Sequence, residues 1–331
     1  MPVTSEGSLV LAVDGGGTKT ELALANRDGE AVFLVHAAGT NPMDNEAWHQ
    51  HLDGLFAAAA ALLPHTAFAV LGIPGYGEIR RFDSQLESAA AELFAGPRCV
   101  INDVEMALDG AFLDHTGILV LAGTGSMAMA RDGQGRVLRV GGWGEIFGDE
   151  GSAYWIGREA LARASRALDG RVDAIEFANA LLGLLGLDAA RPFDALMGWC
   201  YGASHVRSTV AAVAKYVDLL AESGDSTALS ILGQAADHLC MHMGAMLPRV
   251  DGRRHLHWSF AGSVFDSRTI RDALIERYGQ PALPRLPPIA GGLWRAAKEA
   301  GWSTDDAWVQ RLGESIQHRL KDDKGRTIAV P

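Results

Sequence analysis

The chain carries one supersecondary pattern twice, and the repeat limits what it can fold into. Ser8 to Val13 is a continuous apolar run, the pattern of a buried strand, and it ends in Asp14-Gly15-Gly16-Gly17-Thr18-Lys19-Thr20. Leu22, Ala23 and Leu24 begin a second strand, Arg27-Asp28-Gly29 is a hairpin turn signal, and Ala31 to Val35 is a third strand. About a hundred residues later the order recurs: Ile118 to Ala122, then Gly123-Thr124-Gly125-Ser126, Met127 to Ala130, Arg131-Asp132-Gly133, and Val137 to Val140. Glycines after a buried strand let backbone N–H groups approach an anion with no side chain in the way. Two copies therefore suggest a duplicated domain with two phosphate-facing turns.

Between the copies, helical patterns at Asn45 to Leu63, Phe82 to Phe94 and from Glu105 to Phe112 alternate with strands at Ala67 to Ile73 and Cys99 to Ile101. Alternating strands and helices imply a mainly parallel, covered sheet, and the order β-β-β-α-β-α-β-α is that of the ribonuclease-H-like fold. After Gly157 helices dominate: Arg158 to Leu168, Ala174 to Leu185, Phe193 to Cys200, Ser208 to Glu222, Thr227 to Met246 and Thr269 to Tyr278. A strand at His257 to Ala261 ends in Gly262-Ser263, and Gly291 to Ala300 and Trp308 to Leu320 are the last helices. The expected architecture is α/β, with two ribonuclease-H-like domains, 1–116 and 117–320, flanking a central cleft. The second carries extra helices. The final helix, 305–320, is free to pack back on the first domain, and 321–331 reads as a loose tail.

At 331 residues the length prior is about two domains. Forty acids against 29 Lys and Arg give a net charge of −11, and no basic run stands out, which argues against nucleic acid as a partner. Cys99, Cys200 and Cys240 are isolated, so a disulfide framework or cysteine zinc site is not expected and a reducing cytoplasm fits. Neither a secretory leader nor an apolar run of membrane-spanning length is visible, so no membrane partner is expected.

DGGGTKT is not a Walker A loop, because Lys19 leads into a strand rather than a helix. A triple glycine can still hold phosphate through Gly16 and Gly17 N–H groups, with the Thr18 hydroxyl and Lys19 adding donors, while Asp14 could hold Mg²⁺ through water; the plain alternative is a hairpin turn. The second turn also satisfies G-x-G-x-x-A at Gly123, Gly125 and Ala128, but a dinucleotide site needs a helix directly afterwards, and Arg131 to Gly135 breaks one.

Asp103 leaves a short apolar strand and precedes a helix, which puts a carboxylate at the sheet's C-terminal edge, where ligands collect in open α/β sheets. It is either a general base for a sugar hydroxyl or a helix N-cap. In Gly141-Gly142-Trp143-Gly144-Glu145-Ile146-Phe147-Gly148-Asp149-Glu150-Gly151-Ser152 the carboxylates of Asp149 and Glu150 suit vicinal hydroxyls. Trp143 could instead pack in the core, and Asp149 could cap the following helix. His255 and His257 lie on one side of a strand with no third metal ligand in view.

Taken together, DGGGTKT, TNP (40–42), IND (101–103), GTGS, GGWG, GDEGSAYWIG and AGSVF (261–265) resemble, over nearly the whole chain, one branch of a known ATPase family. This is the N-acetylglucosamine and glucosamine kinase branch of the acyl-CoA-reductase-activator (BadF/BadG/BcrA/BcrD-type) family, in the actin, hexokinase and heat-shock-chaperone superfamily. GGWG-x3-GDEGSAYWIG is the specific part. The resemblance implies actin-like ATPase domains and Mg²⁺-dependent transfer from ATP to an amino sugar, at the 6-hydroxyl, in a homodimer. By position Thr18 and Thr124, with Gly123, Gly125 and Ser126 around the latter, would meet the ATP phosphates. Gly262, Ser263 and Ala221 would lie near the adenosine. Asp103 would be the base, and Asn41, Gly142, Trp143, Gly144, Asp149 and Glu150 would hold the sugar. Pro42-Met43 stands where the family has His-Trp.

Two sister functions are the alternatives. An activator ATPase of an acyl-CoA reductase or dehydratase would carry cysteines for an iron–sulfur cluster, and the three here are not in that motif. A sugar sensor would carry a DNA-binding helix-turn-helix, and here the first strand begins by Ser8.

Overall fold

The computed structural model describes residues 7–43, 45–250 and 257–322. In chain order the first elements are β1 (Leu9–Asp14), β2 (Lys19–Asn26), β3 (Ala31–Ala38), α1 (Trp48–Ala58), β4 (Thr66–Gly72), α2 (Arg80–Leu93), β5 (Arg98–Ile101) and α3 (Asp103–Phe112). Then come β6 (Gly117–Ala122), β7 (Ser126–Arg131), β8 (Val137–Gly141), α4 (Ala153–Leu168), α5 (Ile175–Leu184), α6 (Pro192–Tyr201), α7 (Val206–Ala211), α8 (Ala214–Glu222) and α9 (Ser226–Met246). β9 (Trp258–Ala261), α10 (Arg268–Tyr278), α11 (Pro288–Glu299) and α12 (Asp306–Asp322) complete the chain. They divide into two compact units: one runs to His115 and resumes at Leu283, and the other is Thr116–Ala282.

The first unit holds a five-stranded sheet in the order β3-β2-β1-β4-β5. β1 pairs antiparallel with β2, Asp14 opposite Glu21, and parallel with β4, while β4 pairs parallel with β5. The sheet is thus mixed rather than mainly parallel, because tight turns join β1, β2 and β3, and only antiparallel neighbours can be joined that way. Side chains of β1 alternate between faces. Leu9, Leu11 and Val13 join a core with Trp48, Leu52 and Leu55 of α1 and Leu86 of α2. Val10 and Ala12 join Met106 of α3, Ile289 and Leu293 of α11, and Trp308 and Leu312 of α12. Each fully buried side chain of this kind contributes about 1.5–3 kcal/mol.

Residues 283–304, expected with the second domain, belong to the first unit, and α12 packs there too, as the final helix was free to do. The cause is a pair of glycines on α11. A Cβ on Gly292 would sit 2.9 Å from the Ala12 Cβ, and one on Gly291 would meet the Met106 carbonyl oxygen at 2.7 Å, so only glycines let α11 lie this close to β1 and α3.

The second unit repeats the strand order on a smaller scale, β8-β7-β6-β9, with β6 parallel to β9 and antiparallel to β7. Ile118 and Val120 of β6 and Ala128 and Ala130 of β7 turn one face toward Ile156 of α4, Phe177 of α5 and Leu232 and Leu239 of α9. The helix expected over Ser208 to Glu222 is two, α7 and α8. The Val213 N–H donates to the Val210 carbonyl (3.1 Å), a tight turn between them. α7 presses on α4 where Gly157 leaves no room for a side chain against the Val210 carbonyl. The helix expected over Asn45 to Leu63 is shorter, Trp48–Ala58. His255 and residues 323–331 of the expected tail lie outside the described residues. No helix among the described residues is long and apolar enough to cross a membrane.

Candidate functional site

In the first unit the candidate residues gather at the C-terminal ends of β1 and β5. The DGGGTKT turn is fixed from behind: the Gly15 N–H donates to the Gly72 carbonyl (2.7 Å), and the Thr40 N–H to the Gly16 carbonyl (3.0 Å). The buried Thr20 and Thr40 hydroxyls meet at 2.9 Å. From Gly17 to Lys19 the turn is exposed, and a Cβ on Gly17 would touch nothing within 4 Å. The turn therefore has a rigid base and an open tip. The Lys19 ammonium reaches the Glu21 carboxylate at 2.6 Å, so it is shared with an acid that the sequence reading did not single out.

Asp103 is the first residue of α3, and the cap is its neighbour: the Val104 N–H donates to Asn102 Oδ1 (3.0 Å). Capping is thus done by Asn102. Burial pushes the Asp103 carboxyl up to about 7, with help from Glu78 and against the pull of the backbone N–H groups at the helix start. The Asp14 carboxyl is also raised well above its ordinary value, by burial first and then by Glu21 and Asp103, with Lys19 opposing. Two mutually repelling carboxyls make this edge favourable for a hard cation held by oxygen donors. Among the described residues no group of three His, Cys, Asp or Glu is placed to hold a metal ion. Asn41 is buried, and its Oδ1 accepts the Met43 N–H (3.1 Å), which tightens the turn at Pro42.

In the second unit the GTGS turn leads straight into β7, so no helix follows it and the dinucleotide reading fails. The turn is bonded to its surroundings throughout. The Gly123 carbonyl accepts the Ala153 N–H of α4 (2.8 Å), and the Gly123 N–H donates to the Gly125 carbonyl (2.9 Å). The Ser126 hydroxyl donates to the Glu150 carbonyl (2.7 Å) and its N–H to Asp149 Oδ1 (3.3 Å). Ser126, expected at the phosphates, is therefore taken up in joining this turn to the loop that ends in Asp149 and Glu150. Gly262, with φ of 100°, lies against the Ala122 carbonyl at the base of the turn, where a side chain would collide.

Asp149 does not cap α4; Ser152 does, accepting the Trp155 N–H (3.1 Å). Instead Asp149 is buried, holds a left-handed φ of 53°, and meets Arg207 Nη2 at 2.8 Å. Its carboxyl is raised, burial outweighing Arg207 and the Ser126 N–H. Arg207 was not legible in the sequence; it is 58 residues from its partner. Gly142 and Gly144 have φ of 70° and 80°, and Trp143 is 68% exposed, outside the core.

The second unit also holds a cavity of about 500 Å³. It is lined by Lys215, Asp218, Leu219 and Glu222 of α8 and by Ser263 and Asp266 after β9. Ser263, expected near an adenosine, lines it. Ala221 faces the core.

Comparison with known proteins accords with this arrangement. Residues 11–291 match the model of the BadF/BadG/BcrA/BcrD ATPase family. An N-acetylmuramic acid/N-acetylglucosamine kinase of Clostridium acetobutylicum is 30% identical over 244 residues, 72% of this chain and 79% of the relative. An N-acetyl-D-glucosamine kinase of Dictyostelium discoideum is 25% identical over 218 residues, 58% of this chain and 64% of the relative. A solved structure from Chromobacterium violaceum, provisionally named an N-acetylglucosamine kinase, superposes with a TM-score of 0.73 at 28% identity, covering 88% of this chain and 99% of that one. The chain belongs to the BadF/BadG/BcrA/BcrD ATPase family, with the two-domain α/β fold of actin-like sugar kinases.

Proposed function

We propose that the chain is an ATP-dependent amino-sugar kinase that phosphorylates the 6-hydroxyl of N-acetylglucosamine or glucosamine. The observation that carries this reading is Asp103: a half-buried carboxylate at a sheet's C-terminal edge, relieved of capping by Asn102 and poised near pH 7. A base with that pKa can take a proton as a hydroxyl becomes a nucleophile, and its burial leaves few waters to compete. In the proposed step the Asp103 carboxylate accepts the sugar hydroxyl proton as that oxygen bonds to the terminal phosphorus of ATP, and ADP leaves. Gly17, Thr18, Gly123, Thr124 and Gly125 supply donors to the phosphates. Asn41, Gly142, Trp143, Gly144, Asp149 and Glu150 hold the sugar, and the cavity beside Ser263 takes the nucleoside. Mg²⁺, held by Asp14 through water, would supply charge neutralisation at the phosphates. The activator reading is disfavoured by the cysteines: Cys99, Cys200 and Cys240 stand far apart in the chain, outside the motif that holds an iron–sulfur cluster.

The test is ADP release with MgATP and N-acetylglucosamine, glucosamine, N-acetylmannosamine, glucose or no sugar. Strong stimulation by one amino sugar is expected. Turnover indifferent to every sugar would overturn the reading.

A further inference from the structure

The loop from Gly142 to Glu150 exposes Ile146 (83%) and Phe147 (73%) together with Trp143, yet ends in one of the most constrained residues of the second unit. A left-handed backbone at a residue other than glycine persists only where the surroundings impose it, and at Asp149 the surroundings are identifiable. Oδ1 accepts the Ser126 N–H, Oδ2 accepts from Arg207 Nη2, and the space where a Gly125 Cβ would stand lies 3.0 and 3.1 Å from the two oxygens. Arg207 also turns its Nε toward Glu145 in the middle of the loop, at 3.5 Å. At the loop's other end Arg139 donates to the Gly141 and Gly142 carbonyls. One guanidinium from α7 thus reaches both the middle and the end of a segment whose glycines would otherwise let it swing.

We infer that Arg207 is a positioning residue: by holding Glu145 and Asp149 together it keeps the 142–150 loop in the conformation that receives the phosphoryl acceptor. This rests on reading Asp149 as an acceptor ligand. A guanidinium suits the task because its planar fork can serve two carboxylates at once, which a lysine ammonium does less well. Arg207 also opposes the burial that raises the Asp149 carboxyl; the charged groups facing that carboxyl are Arg207 and Glu145.

The test has one arm that needs no ligand. Amide hydrogen exchange is followed in wild type, Arg207→Met, Arg207→Lys and Glu145→Gln. In Arg207→Met, exchange across 142–150 and at Ser126 should accelerate about tenfold or more while the amides of β6 and of β7 beyond Ser126 stay as in wild type, and Arg207→Lys should recover part of the protection. Glu145→Gln, which removes only the half-exposed partner, should give a smaller acceleration in the same residues and serves if Arg207→Met does not fold. Unchanged loop exchange in a folded Arg207→Met, or in Glu145→Gln when that is the variant available, overturns the inference. In the kinetic arm, Arg207→Met should raise the amino-sugar KM about tenfold with the ATP KM within a factor of about two; equal rises in both would overturn it. If wild type shows no sugar-dependent turnover, the kinase reading falls, and the exchange arm still decides whether Arg207 holds the loop.

Discussion

The two glycine turns occupy the same place in two sheets of the same strand order and differ in what they are bonded to. DGGGTKT is bonded at its base and free at its tip: Gly17 has nothing within 4 Å of its missing Cβ. GTGS is bonded along its length, to α4 through Gly123 and to the following loop through both polar groups of Ser126. A shared fold thus gives one turn whose tip is exposed and another that also fixes the residues proposed to hold the sugar. Supersecondary repetition fixes where a turn lies, and what it does depends on what packs against it.

The largest expected effect lies beside the open turn. Asp103→Asn should lower turnover by a factor of about 10²–10⁴ with modest change in sugar binding, measured by steady-state kinetics and titration calorimetry. The wild-type rate should itself depend on this group. A carboxyl with pKa near 7 is a base only above that pH, so kcat/KM should fall about tenfold per pH unit below 7, and in Asp103→Asn that limb should vanish. Stability should run the other way. The folded-state pKa is raised from 3.8 to about 7, so this group's stabilisation is full below pH 4 and is lost as pH rises through 7. Asp103→Asn should then melt at a higher temperature than wild type at pH 8, a gain that disappears near pH 4.

The contrast between the turns is sharpened by paired alanines. Gly125→Ala brings a methyl to about 3 Å from the Asp149 oxygens and Arg207, and should raise the sugar KM about tenfold. Gly17→Ala meets open space and should leave the sugar KM unchanged. Equal effects would erase the distinction. The smallest effect is Ser126→Ala. It removes one hydroxyl donor to the Glu150 carbonyl, a loss of about 1 kcal/mol, or a few degrees in Tm by calorimetry.

Much of this was legible in the sequence, for reasons that differ by region. The two meanders were readable because apolar runs bounded by glycine and Asp-Gly turns are local signals, and they stand as β1-β2-β3 and β6-β7-β8; the parallel strand beside the first of each comes by a long crossover that no local signal marks. Asp103 was readable as a carboxylate at a strand end, but its release from capping was not, since Asn102 and Asp103 are both acceptable caps. The placement of α11 was hidden because Gly291 and Gly292 look like helix-weakening residues until Met106 and Ala12 are seen beneath them. Arg207 was hidden for the same kind of reason: a pair made across 58 residues leaves no spacing to read. Trp143, equally compatible with a core position by composition, proved to be exposed.

The central claim is that a phosphoryl group moves from ATP to a sugar 6-hydroxyl, and ³¹P NMR of the products tests it most directly. With MgATP and N-acetylglucosamine or glucosamine, the account predicts ADP and a new phosphomonoester signal coupled to the sugar C6 protons, both lost in Asp103→Asn. ADP accompanied only by inorganic phosphate, with either sugar present, would contradict it.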